Sequence, residues 1–166
     1  LQTLCKGTKA KVIDTRKTTP GFRFFEKWAV VIGGGSNHRF GLYDMIMLKD
    51  NHIDFAGGII EALNATHAYL KKTKKKLPIE VETRTLRDVK LILNKGGFQR
   101  IMLDNYTISD TKKAVALIGN KFEIESSGGI TEKTIANYAK CGVDYISVGA
   151  LTHHVKSMDL SLKAIK

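Results

Sequence analysis

Only two cysteines, Cys5 and Cys141, occur in 166 residues. They are too few and too far apart in sequence for a disulfide framework or a zinc site, and a reducing cytosol suits them best. The histidines do not supply a zinc site either. His52, His67, His153 and His154 lack ligand spacing, and no CxxC or HExxH occurs. No serine sits in a nucleophile elbow. No apolar run approaches the ~20 residues that span a bilayer, so no membrane partner is expected. No signal peptide is visible, and the chain opens on Leu1 rather than Met, as a processed end, a truncation or a part of something longer would. Internal repeats and low-complexity linkers are also lacking, and the length suits one domain with a full hydrophobic core.

Acidic residues are scarce as well: 16 against 27 Lys and Arg, a net charge of +11. Such a balance raises the question of nucleic acid. Much of the excess, however, is the run Lys71, Lys72, Lys74, Lys75 and Lys76 ahead of a strand pattern. Lysines at the end of a helix suit the negative pole of its dipole, which makes the run a solvated helix end. The other cations concentrate between Asp14 and His52, in DTRKTTPG, GGGSNHR and LKDNH. Arg16, Lys17, His38, Arg39, Lys49 and His52 lie there beside glycines and strand ends. That placement fits a pocket for something small and multiply anionic better than a duplex-binding stripe, and no nucleic-acid partner is expected.

Short β-rich runs alternate with longer helical patterns. The candidate strands are Lys11–Asp14, Met45–Lys49, Ile79–Glu82, Arg100–Asp104, Phe122–Ser126 and Tyr145–Val148. Phe24–Ile32, Gly58–Lys72, Leu86–Asn94, Ile108–Leu117 and Glu132–Lys140 carry helical spacing, the last with Thr131 as N-cap and Gly142 as its stop. This alternation predicts a parallel sheet covered by helices, with strands that read as buried runs because both faces are covered. Reactive or hydrogen-bonding residues follow the strands, which is where α/β barrels place their active sites. Six to seven strands are too few for a full barrel. The expectation is an incomplete, open α/β barrel over residues 1–157, in preference to a doubly wound sheet. The alternating tail, residues 158–166, reads as a strand that leaves the barrel.

Arg16 and Arg39 can each grip a carboxylate or phosphate with two parallel hydrogen bonds, while Lys17, Lys49 and His38 add charge and donors. A ligand with two adjacent carboxylates needs about this many. Glu82 and Asp104 end successive strands and would face one mouth, able to hold Mg²⁺ with substrate phosphates or to face a developing positive charge. Strand periodicity points Glu80 the same way as Glu82, so spacing alone does not separate them. ESSGGIT (125–131) and VGALTH (148–153) each run from strand through glycine turn to helix start, and backbone N–H groups there suit phosphate.

DTRKTTPG, GGGSNHRFGLYD, LKDNH, IEVET, IMLDN, ESSGGIT and YISVGALTH, in this order, closely resemble the quinolinate phosphoribosyltransferase family, also called nicotinate-nucleotide pyrophosphorylase (carboxylating). The resemblance runs from about Gly7 to Leu162. It implies conversion of quinolinate and 5-phosphoribosyl-1-pyrophosphate to nicotinate mononucleotide, pyrophosphate and CO₂ in de novo NAD synthesis, in the cytoplasm and with Mg²⁺. It implies Arg16, His38, Arg39 and Lys49 on the quinolinate carboxylates, and Lys17 on the phosphoribosyl donor. Glu82 and Asp104 would meet the ribose hydroxyls and Mg²⁺. Ser127, Gly128, Gly129 and Gly149 would cradle the 5′-phosphate, with His153 close by. Family members carry an N-terminal domain ahead of DTRKTTPG that caps the barrel of a dimer partner and lends it a cation. This chain lacks that part. The resemblance therefore implies a barrel-domain fragment of a homodimer or larger homo-oligomer with shared sites. A related transferase with another acceptor, or a non-catalytic basic barrel, are the alternatives.

Overall fold

The computed structural model describes residues 1–154 and 158–165. A 3-10 turn, Gln2–Cys5, precedes six strands: β1 (Lys11–Ile13), β2 (Ile46–Leu48), β3 (Ile79–Thr83), β4 (Arg100–Asp104), β5 (Glu123–Ser127) and β6 (Tyr145–Ser147). The helices are α1 (Arg23–Ile32), α2 (Asp50–Ala56), α3 (Ile59–Thr73), α4 (Leu86–Lys95), α5 (Ile108–Ile118), α6 (Ile135–Ala139) and α7 (Ala150–His153). All strand pairings are parallel, in the order β1-β6-β5-β4-β3-β2. From β2 to β6 the sequence steps one way across the sheet, and the last strand returns to the first. That is barrel order, without the reversal of a doubly wound sheet.

The barrel is open between β1 and β2, as expected for six strands. Ser36 occupies the free edge of β1 through a parallel bridge to Ile13, its N–H donating to the Val12 carbonyl at 2.9 Å. The loop carrying His38 and Arg39 is thereby threaded along the opening.

Both faces of the central strands are buried, but the two faces differ in chemistry. Val81, Ile101, Leu103, Ile124 and Ile146 join Val89, Ile92, Ala114, Ile118, Ile135 and Ala139 in one core between sheet and helices. Alternate residues face the barrel interior, and there the chain places Glu80, Glu82, Arg100, Asp104, Glu123, Glu125 and Tyr145, which occupy matching registers on neighbouring strands. The alternation hidden in IEVE is thus apolar against charged, with both sets buried.

All six expected strands form, with ends shifted by a residue or so. Helix α6 is shorter than the expected Glu132–Lys140. Thr134 Oγ1 accepts the Thr131 N–H at 3.0 Å, so residues 132–134 form a turn, and the regular helix starts after it. Helix α2 was not anticipated; His52 Nδ1 accepts the Lys49 N–H at 3.0 Å and closes its first turn. Met158–Ile165 form no strand within this chain, and their large apolar side chains are exposed. The boundary at residue 157 and the final residue lie outside the described residues. No helix among the described residues is long and apolar enough to cross a membrane.

Candidate active site

At the C-terminal strand ends lies a cleft of about 550 Å³. Nine of the expected site residues line it: Lys17, Lys49, Glu82, Asp104, Ser127, Gly128, Gly129, Gly149 and His153. Arg16, His38 and Arg39 do not. The lysine run sits elsewhere. Lys71 and Lys72 end α3, and the remaining lysines lead into the N-terminal end of β3, so the run lies at the opposite mouth of the barrel.

One wall of the cleft is backbone. Gly128 has φ +94°, and a Cβ there would collide with the Asn105 side chain and come within 2.9 Å of the Asn105 backbone nitrogen. Asn105 itself holds φ 56° and donates its N–H to the Ser127 carbonyl at 2.9 Å. The two turns after β4 and β5 therefore brace each other. Among the described residues, the N–H groups of Gly128, Gly129 and Gly149 find no partner within the chain, which leaves them to a ligand. The expected direct run from glycine turn into helix holds after β6, where α7 begins at Ala150. After β5 it does not, since α6 begins only at Ile135. Thr152, fully buried on α7, donates its hydroxyl to the Lys17 carbonyl at 2.6 Å and so ties Lys17 to this wall.

The acidic wall separates Glu82 from Glu80. Glu82 lines the cleft, while Glu80 lies two residues deeper and is fully buried. Glu82 Oε2 accepts from Lys49 Nζ at 2.8 Å and Oε1 from the Asp50 N–H at 3.1 Å, so both of its oxygens are engaged. On Asp104, Oδ2 accepts from Asn105 Nδ2 at 2.7 Å, which leaves Oδ1 toward the cleft. For a hard cation that takes one or two carboxylates plus substrate oxygens, the donor set fits at Asp104; Glu82 would first have to release Lys49.

Arg16 and Arg39 lie next to the cleft as like charges. Burial, and then the nearby Arg16 guanidinium, lower the Arg39 pKa from its ordinary value, against the smaller opposing effect of the Glu80 and Asp44 charges. Arg39 Nη1 donates to the Met45 carbonyl at 3.0 Å, and Arg16 Nε is buried without a partner. Neither guanidinium reaches a carboxylate within ion-pair distance among the described residues.

The structure corrects the reading of His38. It is 7% exposed and points into the barrel, with Nε2 3.1 Å from Glu80 and 3.2 Å from Glu125. Nδ1 accepts the Arg39 N–H at 2.6 Å. Burial opposes a charge on the ring, but the hydrogen bonds and charges of Glu125 and Glu80 outweigh it and raise its pKa to about 9. The Arg39 N–H at Nδ1 works against that second proton. Nε2 carries hydrogen in either form and stands within ion-pair distance of both glutamates, without a hydrogen bond of good geometry to either. His38 is buried and does not line the cleft. The same hydrogen removes Nε2 as a metal ligand, although His38, Glu80 and Glu125 stand close enough together to surround an ion. Arg100 completes the cluster, 3.5 Å from Glu125 and 2.9 Å from Glu123.

Sequence reasoning overlooked Asp14, Lys27 and Thr152 as supports and Asn105 as a brace. Lys27 sits between Phe25 and Trp28 beside Glu26 in a mostly apolar helical stretch, a weak signal that a lysine there needs an acid such as Asp14.

The family described as Quinolinate phosphoribosyl transferase, C-terminal domain, matches residues 2–163. The chain is 51% identical over 168 residues to the chloroplastic nicotinate-nucleotide pyrophosphorylase (carboxylating) of Oryza sativa subsp. japonica, covering 93% of this chain and 45% of that protein. Against nicotinate-nucleotide pyrophosphorylase (carboxylating) of Mycobacterium leprae the identity is 43%, over 95% of this chain and 55% of that one. The crystal structure of NadC from Streptococcus pyogenes superposes with a TM-score of 0.89 at 42% identity, covering 98% of this chain and 55% of that one. The chain spans about half the length of these relatives. On this extent of match, the chain belongs to the quinolinate phosphoribosyl transferase C-terminal domain family.

Proposed function

We propose that this chain is the catalytic barrel of a quinolinate phosphoribosyltransferase, joining quinolinate to 5-phosphoribosyl-1-pyrophosphate to give nicotinate mononucleotide, pyrophosphate and CO₂. The observation that carries this reading is the pair Arg16 and Arg39, two neighbouring guanidiniums that no carboxylate meets at ion-pair distance among the described residues, beside a cleft with glycine N–H groups on one wall and carboxylates on another. A planar dicarboxylate supplies the two missing anions. Lys49 extends the cationic row, and Lys17 and the glycine turns receive the donor's phosphates.

Held in this way, the pyridine nitrogen meets the anomeric carbon as a neighbour, and proximity supplies much of the rate. Departing pyrophosphate leaves positive charge on the ribose, which Glu82 and Asp104 stabilise. Asp104, with Glu82 once it releases Lys49, would hold a Mg²⁺ ion, which would supply positive charge to offset that of the leaving group. Carbon dioxide leaves once the ring nitrogen is alkylated: the C2–carboxyl bond breaks, its electron pair stays on the ring carbon beside the cationic nitrogen, and that carbon takes up a proton.

The working unit is a homo-oligomer with shared sites. Helix α1 turns Phe24, Phe25, Trp28 and Ile32 outward, each more than half exposed, and Leu42 and Tyr43 are also exposed. An apolar area of this kind favours a protein partner. The two cysteines are free and buried, which suits a reducing compartment, the cytoplasm here; the rice relative's name assigns that protein to the chloroplast.

The test is thermal melting with phthalate, an unreactive dicarboxylate, followed by nicotinate mononucleotide formation from both substrates with Mg²⁺. Phthalate raises the midpoint of the parent and not of Arg39→Ala. No shift in the parent, or the same shift in both, overturns the acceptor reading. The chain alone is expected to bind phosphates but turn over slowly; full turnover would remove the need for a partner's cation.

A further inference from the structure

Two guanidiniums that share a site without an ion-paired acid among the described residues repel each other, so something must hold them in place. Helix α1 and the end of β1 supply it. Arg23, the first residue of α1, donates from Nη2 to the Arg16 carbonyl and from Nη1 to the Phe40 carbonyl, both at 3.1 Å, and from Nε to Thr18 Oγ1 at 3.1 Å. One turn on, Lys27 is 2% exposed and donates from Nζ to Asp14 Oδ1 at 2.5 Å and to the His38 carbonyl at 2.9 Å. Asp14 Oδ1 also accepts the His38 N–H at 2.8 Å. With its amide oriented to satisfy both groups, Asn37 donates to Asp14 Oδ2 at 2.6 Å and to the Lys27 carbonyl at 2.9 Å. The peptide groups on both sides of His38 are thus gripped by one buried ion pair, and the loop of Arg16 is tied to the loop of Arg39 by Arg23.

We propose that Arg23, Lys27 and Asp14 are positioning residues of the acceptor site, which fix Arg16 and Arg39 side by side so that one dicarboxylate bridges them. The inference rests on the acceptor reading above. Residues four apart on a helix share a face, so Arg23 and Lys27 reach the two loops together. None of the three lines the cleft. Their effect therefore runs through Arg16 and Arg39, and falls on the dicarboxylate rather than on the phosphates. The glycine turns of the phosphate wall are braced by Asn105, and Thr152 adds a hold on the Lys17 carbonyl that Arg23 does not supply.

The experiment measures the Kd of phthalate and of pyrophosphate by calorimetry on the parent chain, Arg23→Met, Lys27→Met and Asp14→Asn/Lys27→Met. Lys27→Met strands a buried carboxylate and can fail to fold; the double variant removes both charges and keeps an acceptor for the His38 N–H, and Arg23→Met alters a half-exposed side chain. The expected result is a weakening for phthalate of roughly tenfold, the order of one charged hydrogen bond, with pyrophosphate changed less than about threefold. In an Arg39→Lys background, which keeps a charge but loses the two-pronged grip, the same substitutions have less effect on phthalate than in the parent, as coupled residues require. Phthalate affinity unchanged in Arg23→Met and the double variant overturns the proposal. So does equal weakening of both ligands, or full additivity with Arg39→Lys. A parent that does not bind phthalate overturns the acceptor reading first, and this inference with it.

Discussion

The cations of this chain fall into two regions with opposite arrangements. Inside the barrel and beneath α1, each is matched: Arg100 meets Glu123 and Glu125, Lys27 meets Asp14, and His38 lies between Glu80 and Glu125. At the rim, Arg16 and Arg39 lie together with no carboxylate at ion-pair distance among the described residues, and Glu80 and Asp44 act on Arg39 only from farther off. Burying a charge is expensive unless it is paired, so the interior shows what folding alone selects. The rim departs from that rule. An arrangement that costs stability in the empty protein and is relieved by an anion is what a binding site requires.

Breaking the interior is expected to have the largest effect. Arg100→Met removes the guanidinium that meets Glu125 and Glu123 and should cost about 3–5 kcal/mol in urea unfolding. A loss below about 1 kcal/mol would show that the barrel interior is wet enough to solvate the acids. The pH dependence follows from His38. Its folded pKa, about 9, lies above the ordinary 6.5, so its contribution is fully present below pH 6.5 and is lost as pH rises through 9. We expect a loss of roughly 1–3 kcal/mol across that window, removed in Glu125→Gln. A flat profile would mean that the Arg39 N–H keeps the second proton off the ring.

Gly128→Ala comes next. It forces a side chain to φ +94° and against Asn105, and should cost on the order of 1–3 kcal/mol while weakening pyrophosphate more than phthalate. Equal loss for both ligands would place the phosphates elsewhere.

How much of this was visible in the chain depends on the kind of residue. The six strands were legible because parallel strands with both faces covered leave short β-rich runs before hydrogen-bonding residues, and IEVE, IMLD and YISV were recognised that way. The cleft followed, because Glu82, Asp104, Ser127 and Gly149 each stand at or just past a strand end, and the fold collects those ends at one mouth. His38 was misjudged because a sequence does not say which way a loop threads. GGGSNHR runs along the open edge of β1, held there by Ser36, and so turns His38 inward while Arg39 faces out. Lys27 escaped notice for a related reason: its partner Asp14 belongs to a different element, and only the packing of α1 across the barrel opening unites them.

The smallest effects belong to the exposed ion pairs, and they sharpen the comparison from the other side. Arg84 and Asp54 form a two-pronged pair with a 2.6 Å contact, geometrically as good as any in the chain, yet both side chains are more than half exposed. Water and salt screen such a pair, and ordering two long side chains offsets what remains. Arg84→Ala should therefore leave the urea midpoint where it was, in contrast to Arg100→Met. Arg39→Ala should match or slightly exceed the parent midpoint, because removing one guanidinium relieves its neighbour. If Arg39→Ala instead lowers the midpoint as Arg100→Met does, the rim arginines are structural members of the interior network, and the division between paired interior and unpaired rim fails.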